Sequence, residues 1–295
     1  MERRHLLKTL GVLSLAPAAM NLASLHATAS TFAKTAPMPV LFVGHGSPMN
    51  ALEDNAFTRQ LRRVGEDLRR NRPPQAILVV SAHWLTRGTF ATQNERPKTI
   101  HDFGGFPQAL FDIQYPAPGA PALVRDLIAQ VPDVHGTDEW GLDHGTWTVL
   151  HHLFPAADVP VFQLSIDATK SLDWHFDFAK QLQFLRERGV LIVGSGNVVH
   201  NLRQSMPRFM TNDATPYDWA VEFDEWFKGH LVSGNYRALA DYTKAGSSGP
   251  LAVPTLDHYL PTLYTLGLAG KNEPMQQLFE EVSFGGMSMR TFMVG

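Results

Sequence analysis

Four short, almost wholly apolar runs punctuate the chain, at residues 40–43, 76–80, 159–165 and 190–194. They are rich in Val, Ile and Leu and do not alternate with polar positions, which predicts strands buried on both faces of a parallel sheet. Between them, apolar positions recur at helical spacing. Residues 53–70 carry leucines and Val64 on one side and arginines on the other, a helix that Asn71-Arg72-Pro73-Pro74 must end. Further helices are predicted over 120–130, from Gly141-Leu142-Asp143-His144 to 153, over 171–188 with Gly189 as C-cap, and over 217–231. Asp257 reads as the N-cap of a helix that opens with His258. Residues 282–284 and 289–294 read as closing strands. Strand 40–43, helix 53–70 and strand 76–80 form a β-α-β unit, which predicts a parallel pair with a right-handed crossover. The expected fold is a single α/β domain: a central mixed, largely parallel sheet flanked by helices.

Composition narrows the picture. The chain has 295 residues, 44% of them hydrophobic, with a net charge of −3 and no long basic or acidic block. This favours neither nucleic acid nor an anionic membrane as partner. There is no cysteine, so disulfides, thiolate ligands and a cysteine nucleophile are excluded. At the N-terminus, Arg3-Arg4 precedes an apolar stretch from Leu10 to Leu25 and then Ala27-Thr28-Ala29. These are the parts of a twin-arginine-type signal over residues 1–29, followed by a flexible lead-in over 30–37 and a catalytic domain over 38–295. The expected partner is the Tat export machinery and the expected location the periplasm. An uncleaved anchor is the rival, weakened by Pro17 and Asn21 within the apolar stretch.

The candidate chemistry lies in histidines set among small residues. His45 lies in Gly44-His45-Gly46-Ser47-Pro48, His83 in Ser81-Ala82-His83-Trp84, His200 just past Ser195-Gly196-Asn197, and His258 in Asp257-His258-Tyr259. The first three follow predicted strands, where open α/β sheets place their ligand crevices. Imidazoles converging there suggest a metal site suited to zinc, iron, copper or nickel. His135, His151, His152, His175 and His230 lie in predicted loops or helices outside these motifs and are expected to be structural. The Gly- and Pro-rich stretch over 99–121 reads as a functional loop.

Seven motifs occur together in order: Gly44-His45-Gly46-Ser47-Pro48-Met49-Asn50, Ser81-Ala82-His83-Trp84, Ile100-His101-Asp102-Phe103-Gly104-Gly105-Phe106-Pro107, Tyr115-Pro116-Ala117-Pro118-Gly119, Asp143-His144-Gly145, Ser195-Gly196-Asn197-Val198-Val199-His200-Asn201-Leu202 and His258-Tyr259-Leu260-Pro261. From about Met38 onward the chain thereby resembles the class III extradiol, LigB-type ring-cleaving dioxygenases, in their DOPA 4,5-dioxygenase branch. The resemblance implies one divalent metal ion, Fe(II) for catalysis or Zn(II) as bound, held by His45, His83 and His258. His258 stands where related enzymes have a glutamate. The resemblance also implies His200 as acid/base and fourth ligand of the resting site, and His144 as a second active-site histidine that positions substrate. The implied substrates are a small catechol and O2, and the implied product is a muconic semialdehyde. Two rivals use the same histidines: a zinc hydrolase with Asp143, Asp257 or Glu53 as orienter, and a non-catalytic exported metal-binding protein. Lys98, Arg87 and Arg203 are candidates to hold a substrate carboxylate, each with a solvated face as its default.

Overall fold

A computed structural model describes residues 34–295, of which Thr35–Gly295 form one compact unit. The expected signal lies outside the described residues. The apolar runs become strands β1 (Val40–Gly44), β2 (Ala76–Thr86), β5 (Val161–Asp167) and β6 (Val190–Gly196). Strands β3 (Thr89–Thr92), β4 (Val134–Thr137), β7 (Met275–Phe279) and β10 (Thr291–Val294) complete an eight-stranded sheet in the order β4-β3-β5-β2-β6-β1-β10-β7. Four neighbours, β5-β2-β6-β1, run parallel, and β1-β10-β7 are antiparallel. The sheet is therefore mixed and largely parallel at its centre, as expected.

The expected pairing of β1 with β2 is corrected, because β6 lies between them and pairs in parallel with both. Strand β6 takes one of the two central positions, with every one of its residues buried. Both its faces are covered, so the long-range crossover buries more apolar surface than direct β1-β2 pairing would.

Helix α1 (Ala56–Asn71) starts three residues later than the spacing predicts. Asn55 caps it, accepting from the Thr58 backbone N–H while the Thr58 hydroxyl accepts from Asn55 N–H. Its Phe57, Leu61, Val64 and Leu68 join Leu41, Val43, Ile77, Val79, Leu191 and Val193 in one core. Helix α2 (Pro121–Gln130) packs beside β4, and α3 (His144–Leu153) packs against α1. The helix expected over 171–188 breaks up: α4 covers only Leu172–Ala179, and a 3-10 turn and the short segment Gln183–Arg186 follow. Two helices complete the chain's middle, α5 (Leu202–Thr211), unforeseen because Pro207 lies inside it, and α6 (Asp218–Val232). Helix α7 (Leu260–Gly267) packs on β6 and against α4.

Of the expected closing strands, 289–294 reduces to β10. Val282–Ser283 (β8) pairs instead with Met287–Ser288 (β9) in a separate hairpin. A buried ion pair anchors that hairpin beneath α6: Arg290 Nε donates to Asp224 Oδ1 at 3.0 Å, and the Ser288 hydroxyl donates to the same oxygen at 2.7 Å.

Candidate metal centre

His45 follows the last residue of β1, and its N–H donates to the carbonyl of Gly196 at the end of β6. Gly46 has φ +62, and a Cβ there would stand 2.4 Å from Met289 Sδ, so the loop turns sharply at a position only glycine fills without strain. The ring is held from behind. Ser195 donates its hydroxyl proton to the Gly145 carbonyl at 2.6 Å, so toward His45 Nδ1, 2.9 Å away, it can only accept. His45 therefore carries its proton on Nδ1 and presents the Nε2 lone pair outward.

His83 is delivered by an irregularity in β2. The β2–β5 register runs to Val80↔Leu164 and resumes at Leu85↔Ile166, five steps along β2 against two along β5. The intervening Ser81-Ala82-His83-Trp84, opposite Ser165 alone, bulge from the β5 ladder and aim the imidazole at His45, with the two Nε2 atoms 3.2 Å apart. Gly145 lets α3 approach, since a Cβ there would lie 2.8 Å from the His83 ring. His144 is the first residue of α3, which Asp143 caps from within a fully buried network of Ser81 and Gln163. Its ring lies 3.8 Å from that of His83, centroid to centroid. Ligand atoms of His45, His83 and His144 all come within 4.8 Å of one another.

His258 and His200 close the other side, stacked face to face with centroids 3.4 Å apart and 9° between planes. The His258 ring is 5.3 Å from that of His45 and 5.0 Å from that of His83. The expectation that His258 opens a helix capped by Asp257 is corrected: α7 begins at Leu260, with Tyr259 at the cap position and no side-chain cap bond. Asp257 instead bonds the histidine ring, Oδ2 to Nδ1 at 2.6 Å. The reason is local, since an imidazole N–H in the same turn lies nearer to the carboxylate than the helical amides do.

A second carboxylate, Asp102, stands 3.0 Å from His144 Nδ1 and 3.6 Å from His83 Nδ1, and accepts the His144 backbone N–H at 2.8 Å. The 3.0 Å contact has an ion-pair distance without hydrogen-bond alignment, which leaves His144 Nδ1 buried and unbonded.

Electrostatics disfavour charge on three of these rings, His45, His83 and His200. Burial, then the neighbouring imidazoles, hold His45 and His83 far below the usual histidine range. Burial and the stacked His258 push His200 down to about 3. Neutral imidazoles with inward lone pairs are the form that binds a cation. The 3.2 Å between the two Nε2 atoms suits either one shared proton or one shared metal ion. Two nitrogens about 2.0–2.1 Å from a metal, at angles between square and tetrahedral, stand about 2.9–3.4 Å apart. The donor set thus fits a divalent ion.

Comparison with known proteins bears directly on this geometry. The family described as the catalytic LigB subunit of aromatic ring-opening dioxygenase matches residues 33–292. The chain belongs to that family. This LigB-family chain is 48% identical over 264 residues to a protein of Escherichia coli (strain K12) named 4,5-DOPA dioxygenase extradiol, covering 88% of this chain and 95% of the other. A Beta vulgaris protein of the same name is 33% identical over 256 residues, covering 85% and 94%. The crystal structure of an uncharacterised protein from Escherichia coli K12 superposes with a TM-score of 0.75 at 43% identity, covering 88% of this chain and all of that one. Membership places the LigB-family chain among oxygenases, with a histidine triad able to hold a metal ion.

All five histidines singled out in the sequence, His45, His83, His144, His200 and His258, meet in one cluster. The tightest triad takes in His144 rather than His258. Of the residues considered as orienters, only Asp257 bonds a histidine ring. Asp143 is committed to capping α3 and to Ser81 and Gln163, and Glu53 is exposed on the surface. Lys98, Arg87 and Arg203 are exposed.

Two residues of the site carried no role in the sequence reading, Ser195 and Asp102. Both lie within quoted motifs, but which ring each would face depends on strand order. His101, from the same loop as Asp102, bonds the Ile113 carbonyl at 3.0 Å and fixes the loop's fold. His152 and His175 bond the Asn50 carbonyl and the Tyr264 hydroxyl, structural contacts away from the cluster.

Proposed function

We propose that this oxygenase cleaves the aromatic ring of small catechols next to the diol, in the manner of a 4,5-DOPA dioxygenase, with both atoms of O2 entering a muconic semialdehyde product. The observation that carries the reading is the pair of opposed Nε2 atoms of His45 and His83, 3.2 Å apart inside a ring of three further imidazoles. His45, His83 and His258 would hold the ion, with His200 near enough to join them before substrate arrives. Ferrous iron held there would supply open coordination positions and link catechol and dioxygen electronically.

The chain's own residues handle binding and protons. His200, neutral because it is buried, accepts a proton from a catechol hydroxyl at a ring nitrogen. The oxygen charge so created beside the ring stabilises the imidazolium, which can return the proton as the O–O bond breaks. His144, braced by Asp102 and edged by Phe103 at 5.4 Å between ring centroids, orients the substrate. Phe103 and Phe106 present apolar faces on the same loop, which suits the exclusion of water from an oxygen-dependent reaction.

The names of the relatives support DOPA as a substrate to test first. Iron-reconstituted protein given a panel of catechols (DOPA, caffeate, protocatechuate) should consume O2 and form a yellow ring-opened product with at least one. Stoichiometric iron without O2 uptake on any of them would overturn the proposal.

A further inference from the structure

The three imidazoles proposed to hold the metal differ in what stands behind them. His45 is backed by a neutral hydroxyl, Ser195, at 2.9 Å. His83 has Asp102 at 3.6 Å, beyond hydrogen-bond reach. Behind His258 is a carboxylate in direct contact, Asp257 Oδ2, 2.6 Å from Nδ1. The backbone fixes this last pair. The His258 carbonyl accepts the Asn197 N–H at 2.9 Å, and a Cβ at Gly196 would lie 2.2 Å from that same oxygen, so the turn is seated against the end of β6.

Asp257 is in a costly position for a group that only braces a turn. Its side chain is 27% exposed, and Oδ1 is buried with no hydrogen-bond partner. A buried, unbonded carboxylate oxygen costs stability unless a positive charge offsets it. Imidazoles bind a metal in the neutral form, so three of them would leave the full double charge on a divalent ion in a low-dielectric site, and among the described residues Asp257 is the one carboxylate in bonding contact with any of the three.

We propose that Asp257 is a positioning residue of the metal centre. It holds His258 as the Nδ1–H tautomer, turns Nε2 toward the ion, and supplies through that hydrogen bond the negative charge the ligand set lacks. This rests on the metal-dependent reading above. It predicts that Asp257 governs how tightly the ion is held, since carboxylate partners of ligating histidines typically contribute 10–100-fold in metal affinity.

The experiment measures Zn(II) affinity by chelator competition, and the Co(II) absorption spectrum, for wild type, Asp257→Asn, Asp257→Glu and His258→Ala, without substrate. Asp257→Asn should bind Zn(II) about 10–100-fold more weakly with an altered Co(II) spectrum, His258→Ala should bind more weakly still, and Asp257→Glu should recover part of the loss. Wild-type affinity and spectrum in Asp257→Asn, beside a loss in His258→Ala, would overturn the role of Asp257 and leave the metal site standing. Absence of metal binding by wild type would overturn both. Failure of catechol cleavage with the affinity pattern intact would remove only the proposed reaction. Should Asp257→Asn fail to fold, the imidazole 15N shifts of His258 in the wild-type protein decide: a proton on Nε2 rather than Nδ1 would refute the proposal.

Discussion

Replacing Ser195 with alanine should damage the metal site from behind while leaving every proposed ligand in place. The hydroxyl is completely buried and makes two bonds, donating to the Gly145 carbonyl at 2.6 Å and accepting from His45 Nδ1 at 2.9 Å. The carbonyl belongs to α3 and keeps its helical bond, so its loss is small. The Nδ1–H has no other partner and would be left unsatisfied, at a cost of about 1–3 kcal/mol. His45 has one escape: moving its proton to Nε2 lets it donate to His83 across the 3.2 Å gap. That relieves the stability cost but puts a proton on the atom that should bind the metal. Metal affinity therefore falls on either branch, by about 10–100-fold, and the stability loss lies anywhere up to about 3 kcal/mol. Zn(II) competition reads the first quantity and urea unfolding of the metal-free protein the second. An affinity within twofold of wild type would refute the tautomer argument whatever the unfolding midpoint does.

Two further outcomes follow from the same geometry. His200→Gln keeps reach and polarity but cannot carry a proton near neutrality, so metal should be retained while kcat drops about a hundredfold or more in a steady-state ring-cleavage assay; loss of the metal itself would make His200 chiefly a ligand. The metal-free protein should also lose stability as pH falls. His45, His83 and His200 have folded-state pKa values below the unfolded value of about 6.5, so between that value and the folded ones, about 3 for His200, the unfolded chain binds more protons. Their contribution is complete above pH 6.5 and declines below it, and the urea midpoint should drop between pH 7 and pH 5. A flat or rising midpoint over that interval would show the rings to be solvated and not buried.

Strand identity was legible where apolar runs were continuous, because a strand buried on both faces has no other way to read. The edges of the sheet were not. Strands β4 and β7 are short and partly exposed, with residues such as His135 and Gln276 that occur as readily in loops, and β3 spans only Thr89–Thr92. Helix 171–188 tightens into a 3-10 turn after Ala179 although its apolar spacing continues, and it packs so closely on α7 that a Cβ at Gly267 would come within 2.2 Å of the Phe176 carbonyl. That close approach depends on a tertiary neighbour and leaves no local mark in the sequence of 171–188. Of the site's histidines, His45, His83 and His200 could be picked out because they follow predicted strands among small residues, whereas His144 and His258 stood out chiefly through the motifs shared with a known family. Their partners could not, since a serine in β6 and an aspartate in a loop look like any others until strand order is known.

Strand order also explains why the site exists. His45 leaves β1, His83 bulges from β2, and the turn bearing His200 leaves β6, three strands far apart in sequence. Had β1 and β2 paired directly, as their β-α-β connection suggests, β6 would have lain at one flank and His200 at the rim. Insertion of β6 between them brings all three strand ends to one edge with His45 and His83 spanning it. The same strand contributes Ser195, one residue before the Gly196 carbonyl that accepts the His45 N–H, and so fixes the ring's tautomer and its backbone together. A change that loosened β6 without touching a histidine, such as a bulky residue at Gly194, where a Cβ would stand 2.5 Å from the Pro261 carbonyl of α7, should therefore disturb the spacing of the imidazoles as well as the core.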